Sequence, residues 1–149
     1  MTPAPRPTQR DYEELLGFRT ALRRFLAWSE EQARGAGLTP AQHQLLLAIK
    51  GHPGESAPTV GELADYLVTK HHSVVELIDR AVDAGVVERR RDEDDGRVVH
   101  MVLTPLGEER IEKLSALALE ELRDLPLPPR TRARSTSAVL ARSRRRTRA

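Results

Sequence analysis

Residues 59–80 read TVGELADYLVTKHHSVVELIDR, from Thr59 to Arg80. Thr59 and Glu62 have the spacing of a capping box, in which a hydroxyl accepts from the N–H three residues on and the carboxylate reaches back. Val60, Leu63, Ala64, Leu67 and Val68 then fall at i, i+3, i+4, i+7 and i+8, one apolar stripe along a helix. A polar break follows, Thr69-Lys70-His71-His72. The same template returns as Val74, Leu77, Ile78, Ala81 and Val82, and Gly85 stands where a helix C-terminus favours a left-handed residue. Two short amphipathic helices joined by a polar turn make a helix-turn-helix.

Downstream the period changes to two. Val86–Arg91 and Arg97–Leu103 read as short strands joined by the polar turn Asp92-Glu93-Asp94-Asp95-Gly96, a β-hairpin. Thr104-Pro105 then opens a last helix with Ile111, Leu114, Ala118, Leu122 and Leu125 at steps of three and four, ended by Pro126, Pro128 and Pro129. Upstream, Thr39, Pro40 and Gln42 open a helix whose buried side is Leu45, Leu46, Leu47 and Ile49, stopped at Gly51–Gly54. Before it, Leu15, Phe18, Leu22 and Phe25 form a helical seam from Asp11 to Arg34, widened by Leu16 and Leu26 and closed by Gly35 and Gly37. Residues 1–10 are Pro-rich and polar and read as a disordered arm. The expected class is mainly α with a small β-hairpin wing (α+β). The expected domain is residues 11–125, and residues 126–149 form an Arg-rich tail with room for one weak helix near 133–142.

Bulk composition agrees. A chain of 149 residues is long enough for one domain with its own core. Aromatic residues make up 3%, which suits packed helices better than a sandwich or barrel. There is no cysteine, so disulfides, thiolate metal sites and cysteine catalysis are excluded. No stretch approaches the roughly 20 apolar residues of a membrane span, nor a signal peptide, and the chain reads as soluble and cytoplasmic. No nucleophile–base pair, Gly-rich phosphate loop or metal-ligand spacing points to an enzyme or to a cofactor. The net charge of +2 hides an asymmetry. Eight arginines and no acid lie in 126–149, which leaves 16 basic and 22 acidic side chains in residues 1–125, a net −6. A DNA surface on the body is therefore a local patch.

The chemistry of a helix-turn-helix followed by a hairpin locates that patch. The first short helix braces the second, and the polar side of the second enters the major groove of duplex DNA. Here that side carries Thr69, Lys70, His71, His72, Ser73, Glu76 and Arg80. Cations at a helix N-terminus cost the isolated helix up to ~1 kcal/mol, and a phosphate or base acceptor relieves that cost. The hairpin adds Arg89, Arg90, Arg91 and Arg97. An arginine at a wing tip can insert into the minor groove, with a carboxylate such as Asp95 orienting Arg97. The bland alternatives are a solvated turn and an ordinary charged hairpin tip. A winged-helix module for protein–protein contact, without DNA affinity, is the alternative for the whole chain.

With these pieces placed, residues 38–125 resemble the MarR family of bacterial regulators. The resemblance is carried by Leu38-Thr39-Pro40-Ala41-Gln42, Thr59-Val60-Gly61-Glu62-Leu63-Ala64, Ser73–Arg80, Ala84-Gly85-Val86-Val87-Glu88-Arg89, the wing Asp92–Arg97, and Leu103-Thr104-Pro105-Leu106-Gly107. It implies a homodimer built by the first and last helices, binding a pseudo-palindromic operator. It also implies repression of transcription, relieved by a small-molecule effector or redox signal. By the matched positions Arg97 is the minor-groove arginine, Asp95 its partner, and Ser73 and its neighbours contact base or phosphate. The chain departs from the family after Leu125, where an Arg-rich tail replaces further apolar helix, and its lack of cysteine removes thiol-based sensing. Trp28 and His43 are the candidate lining of an effector pocket, against core packing as the plainer reading. The five histidines are not spaced to share a metal, and His100, alternating with Val98 and Val102, reads as a half-buried strand position.

Overall fold

The computed structural model describes residues 5–125. Five helices and one hairpin follow in the order α1 (Gln9–Gly35), α2 (Pro40–Lys50), α3 (Val60–Leu67), α4 (His71–Asp83), β1 (Val87–Arg91), β2 (Val99–Leu103) and α5 (Pro105–Glu121), with a 3-10 turn at Leu122–Asp124. Threonine sets four of the five helix starts. The hydroxyls of Thr8, Thr39, Thr59 and Thr104 accept from the N–H groups of Asp11, Gln42, Glu62 and Gly107 respectively. At Thr8, Thr39 and Thr59 the residue three positions on reaches back to complete a capping box. The Thr8–Asp11 box starts α1 at Gln9, so the last residues of the stretch read as a disordered arm are helical. Residues 1–4 of that arm and the whole segment 126–149 lie outside the described residues.

Helix α2 lies at the centre and packs against α1, α3, α4, α5 and β2. Leu45, Leu46, Leu63, Val74, Ile78, Val86, Met101 and Ile111 are the fully enclosed heart of one core. Both helices of the helix-turn-helix therefore bury the stripe read from the sequence, except at its ends. Val68 closes α3 in the left-handed region (φ 50°, ψ 47°) and is 86% exposed, not on the buried stripe. The Thr69 N–H turns back to the Ala64 carbonyl at 3.2 Å, which ends the helix there. A left-handed β-branched residue costs roughly 1–2 kcal/mol, a cost the packing of Leu63 and Val74 on either side of the turn must offset. Leu47, one 100° step past Leu46, is likewise exposed although the sequence suggested a buried position.

The strands pair antiparallel, Val87 opposite Leu103 and Arg91 opposite Val99, each one or more residues shorter than the run of alternation. Thr59 adds a bridge to His100, and the Met101 N–H donates to the Pro58 carbonyl at 2.9 Å. The wing is thereby fastened to the start of α3.

Helix α1 is different. The seam Leu15, Phe18, Leu22 and Phe25, with Leu16 and Leu26, is only partly covered by the described residues, with Phe18 and Phe25 half-buried. Leu15, Leu16, Leu22 and Leu26 are exposed, and only Ser29 and Ala33 of this helix are buried. Helix α5 likewise exposes Leu117 and Leu119, and the 3-10 turn after it exposes Leu122. Among the described residues no helix is long and apolar enough to cross a membrane.

Candidate nucleic-acid interface

Helix α4 buries Val74, Leu77, Ile78 and Ala81 against α3 and α2. The opposite side, Thr69, Lys70, His71, His72, Glu76 and Arg80, is exposed, and Ser73 is half-buried at its edge. The 3.6-residue period produces this division, because positions 72, 76 and 80 each fall about one turn apart. Alone among the five helices, α4 has no side-chain cap: its N-cap is Lys70, and its first turn holds no acidic residue. The end of the helix nearest Lys70, His71 and His72 thus keeps backbone N–H donors that no side chain satisfies. Such an end suits an anionic oxygen.

The hairpin places its arginines unequally. Arg89 lies on the body-facing side of β1, two residues beyond buried Val87, and its guanidinium pairs with Asp79 of α4. That ion pair ties the first strand to the helix-turn-helix. Arg90 pairs with Glu88 at 3.5 Å, and Arg91 donates to the Gly96 carbonyl at 3.4 Å. Arg97 stands at the tip, 93% exposed, with its Nε donating to Asp95 Oδ1 at 3.3 Å. Its own backbone N–H donates to the same oxygen at 3.1 Å. The orienting contact between Asp95 and Arg97 read from the sequence is therefore present.

A second carboxylate builds the tip itself. One oxygen of Asp92 accepts from the N–H groups of Asp94 and Asp95, at 2.9 and 3.0 Å, and the other lies 2.8 Å from His100 Nε2. These contacts hold the Asp92 carboxyl well below the usual range, at about 2, with the His100 bond the largest cause. The one local signal that marks Asp92 in the sequence is that an aspartate opening a turn commonly takes the N–H two residues on. Asp79 had no such local signal, since its partner is ten residues away on another element.

Trp28 is half-buried and packs its ring against Phe25, centroids 5.9 Å apart. His43 is 6% exposed, and burial pushes its imidazole below the usual 6.5, so the ring is neutral at pH 7. A cleft of about 210 Å³ lies elsewhere, between the α2–α3 loop, β2 and the start of α5, and neither Trp28 nor His43 lines it. Among the described residues no three His, Asp or Glu side chains are grouped to hold a metal ion.

Comparison with known proteins agrees with this geometry. Residues 36–98, from α2 to the wing tip, match the model of the MarR family. A protein of Bacillus subtilis (strain 168), the uncharacterized HTH-type transcriptional regulator YsmB, is 37% identical over 67 residues, which are 45% of this chain and 46% of that protein. The match thus spans about half the length of that relative. Among solved structures, a single-residue variant of S. aureus MepR bound to an oligodeoxyribonucleotide superposes with a TM-score of 0.62 at 20% identity, covering 88% of this chain and 94% of that one. CouR from Rhodococcus jostii RHA1, bound to p-coumaroyl-CoA, superposes with a TM-score of 0.67 at 15% identity, covering 85% of this chain and 88% of that one. At these identities the structures speak for the fold alone. Residues 36–98 are thus similar to the MarR family, and the five helices and hairpin share the winged helix-turn-helix fold of these solved structures.

Proposed function

We propose that this protein is a transcriptional regulator that binds a pseudo-palindromic duplex DNA operator as a homodimer. In this reading α4 enters the major groove and the Arg97 tip enters the minor groove. The observation that carries it is the division of α4, whose apolar side is wholly engaged by the core while the side bearing Lys70, His71, His72, Glu76 and Arg80 is open to solvent. The oligodeoxyribonucleotide bound to the MepR variant of the same fold supports DNA as the partner. Arg97 with Asp95, Lys70, His71, His72 and Ser73 are assigned to direct contact, with Thr69, Glu76, Arg80, Arg90 and Arg91 at its margin. Arg89 acts through Asp79 by holding the wing.

Lys70→Ala and His72→Ala are each expected to weaken binding about 3- to 30-fold, whereas Glu55→Ala, in the α2–α3 loop, leaves it within twofold. Gel retardation of a duplex from upstream of the gene reads all three. Equal effects would place the DNA surface elsewhere, and no retardation of any duplex would leave the protein–protein module.

Dimerisation is supported by the uncovered apolar residues of α1 and α5, including Leu16 at 65% and Leu119 at 67% exposure. Leu119→Glu is expected to raise the dimer dissociation constant at least about tenfold, since a carboxylate buried in such an interface lacks a partner. Sedimentation at micromolar concentration would show the mass halve. A variant that stays dimeric would exclude this part of α5 from the interface.

As a regulator the chain works on the chromosome in the cytoplasm, as a repressor that occludes its promoter. The complex of CouR with p-coumaroyl-CoA supports a small-molecule effector as the releasing signal, with half-buried Trp28 and neutral His43 assigned to its pocket.

A further inference from the structure

We propose that His100, held between the tip aspartate Asp92 and the carbonyl of Ala57, is a proton-dependent clamp that positions the wing on the body. His100 sits in β2 beside the Thr59 bridge, half-buried. Its Nδ1 lies 2.5 Å from the Ala57 carbonyl oxygen and its Nε2 lies 2.8 Å from Asp92 Oδ2. A carbonyl oxygen and an ionised carboxylate can only accept, so both contacts are hydrogen bonds only when both ring nitrogens carry a proton. A neutral ring satisfies one of them and turns a lone pair toward the other.

The charged groups around the ring point the same way. Asp92 faces it from the tip, and Glu62 of α3 adds a second negative charge at longer range. Glu62 also lies 3.4 Å from the Nε2 of His52, and His52 Nδ1 is 2.6 Å from the Tyr66 hydroxyl. Arg90, the register partner across the hairpin, is engaged by Glu88. Lys50 of α2 and Glu108 of α5 are bonded to each other at 2.6 Å. The Asp92 bond is the largest of the effects that raise the imidazole above its usual 6.5. The clamp is therefore complete below pH 6.5 and opens as pH rises through the higher value in the folded protein. Asp92 stays ionised down to about pH 2 and does not limit it in the neutral range.

The consequence reaches the tip because Asp92 does two tasks. The carboxylate that accepts from His100 also accepts from the N–H groups of Asp94 and Asp95, and Asp95 holds Arg97. Loss of the His100 proton frees the side of the tip that presents Arg97. Its effect on DNA rests on the function proposed above; the movement of the wing does not.

NMR titration of the full chain from pH 5.5 to 9 tests the clamp. The His100 ring should titrate above 6.5, and the amides of Asp94, Asp95 and Arg97 should shift with the same midpoint. Asp92→Asn should lower the His100 midpoint, and His100→Gln should abolish the coincident amide shifts. Tip amides that ignore the His100 titration, or a His100 midpoint unmoved in Asp92→Asn, would overturn the proposal. DNA affinity forms a second arm, in a His71→Gln/His72→Gln background that removes the imidazoles of the proposed DNA surface. There affinity should fall about threefold or more from pH 6 to pH 8.5, and the fall should vanish when His100→Gln is added. A fall that persists would overturn the link to DNA. Failure of the wild-type chain to bind DNA at any pH would refute the operator reading while the amide titration still decides the clamp.

Discussion

Arg97→Ala is expected to weaken binding to a cognate duplex about 10- to 100-fold while leaving the fold and the dimer unchanged. The size follows from a guanidinium that is desolvated in a narrow minor groove, where the potential of both strands is concentrated; such contacts contribute roughly 1–3 kcal/mol each. The lack of a folding effect follows from its setting. The side chain is 93% exposed, and its ionic partner Asp95 is itself at the surface. Exposed pairs of this kind contribute little to stability. Arg97→Lys keeps the charge but loses the planar fork, so it should fall between wild type and alanine. Fluorescence anisotropy with a labelled duplex measures the affinity, and thermal unfolding of the same samples measures the fold. An Arg97→Ala protein with wild-type affinity would mean that the wing does not enter a groove.

Gly107→Ala is expected to destabilise the protein by about 3 kcal/mol or more, a substantial share of the roughly 5–15 kcal/mol that holds a domain together. Gly107 is buried in the first turn of α5. A Cβ there would lie 2.1 Å from the Val86 carbonyl oxygen and 3.4 Å from Leu103 Cβ. The first of these is backbone and cannot swing aside. It is also fixed in place, because the Val86 oxygen accepts from the Thr104 N–H at 3.2 Å and the Thr104 hydroxyl donates to the neighbouring Gly85 carbonyl at 2.6 Å. The N-terminus of α5 thus docks by backbone contact onto the corner where α4 passes into β1. An added methyl pries the last helix away from the winged domain. Circular dichroism should show the melting temperature fall by roughly 10 °C. Gly61→Ala is the control, since nothing lies within 4 Å of a Cβ on that exposed helical glycine, and it should hold or raise the melting temperature. A loss of under about 2 °C in Gly107→Ala would show that this corner yields more readily than its contacts imply.

What could be read from the sequence divides along physical lines. The helix-turn-helix was legible because one local rule, an apolar stripe at the helical period, is also what the core enforces at Leu63, Val74, Leu77 and Ile78. The caps at Thr39, Thr59 and Thr104 were legible for the same reason, since donor and acceptor lie three residues apart, whereas Thr8 was hidden in a Pro-rich polar stretch. Val68 and Leu47 escaped because a pattern extends past the point where the chain turns or the stripe ends. In α1 the pattern was read correctly, but its exposure could not be, since what an apolar seam packs against is not written in its own spacing. On the wing, Arg97 and Asp95 were found together through their local spacing. The Asp79–Arg89 pair and the His100–Ala57 contact were not, because each joins elements that meet only in the folded chain. The sequence reading gave Arg89, Arg90 and Arg91 one role, whereas the fold engages each differently.

The central claim is that the open side of α4 and the wing beside it form a surface for duplex DNA. Equilibrium binding of the full chain to a duplex from upstream of its own gene, at about 50 and 200 mM salt, tests this most directly, with a scrambled duplex of equal length as reference. The expected result is tight binding at low salt that falls at least about 100-fold at the higher salt, with the upstream duplex preferred throughout. No binding to either duplex at low salt, or equal binding to both at every salt concentration, would contradict it.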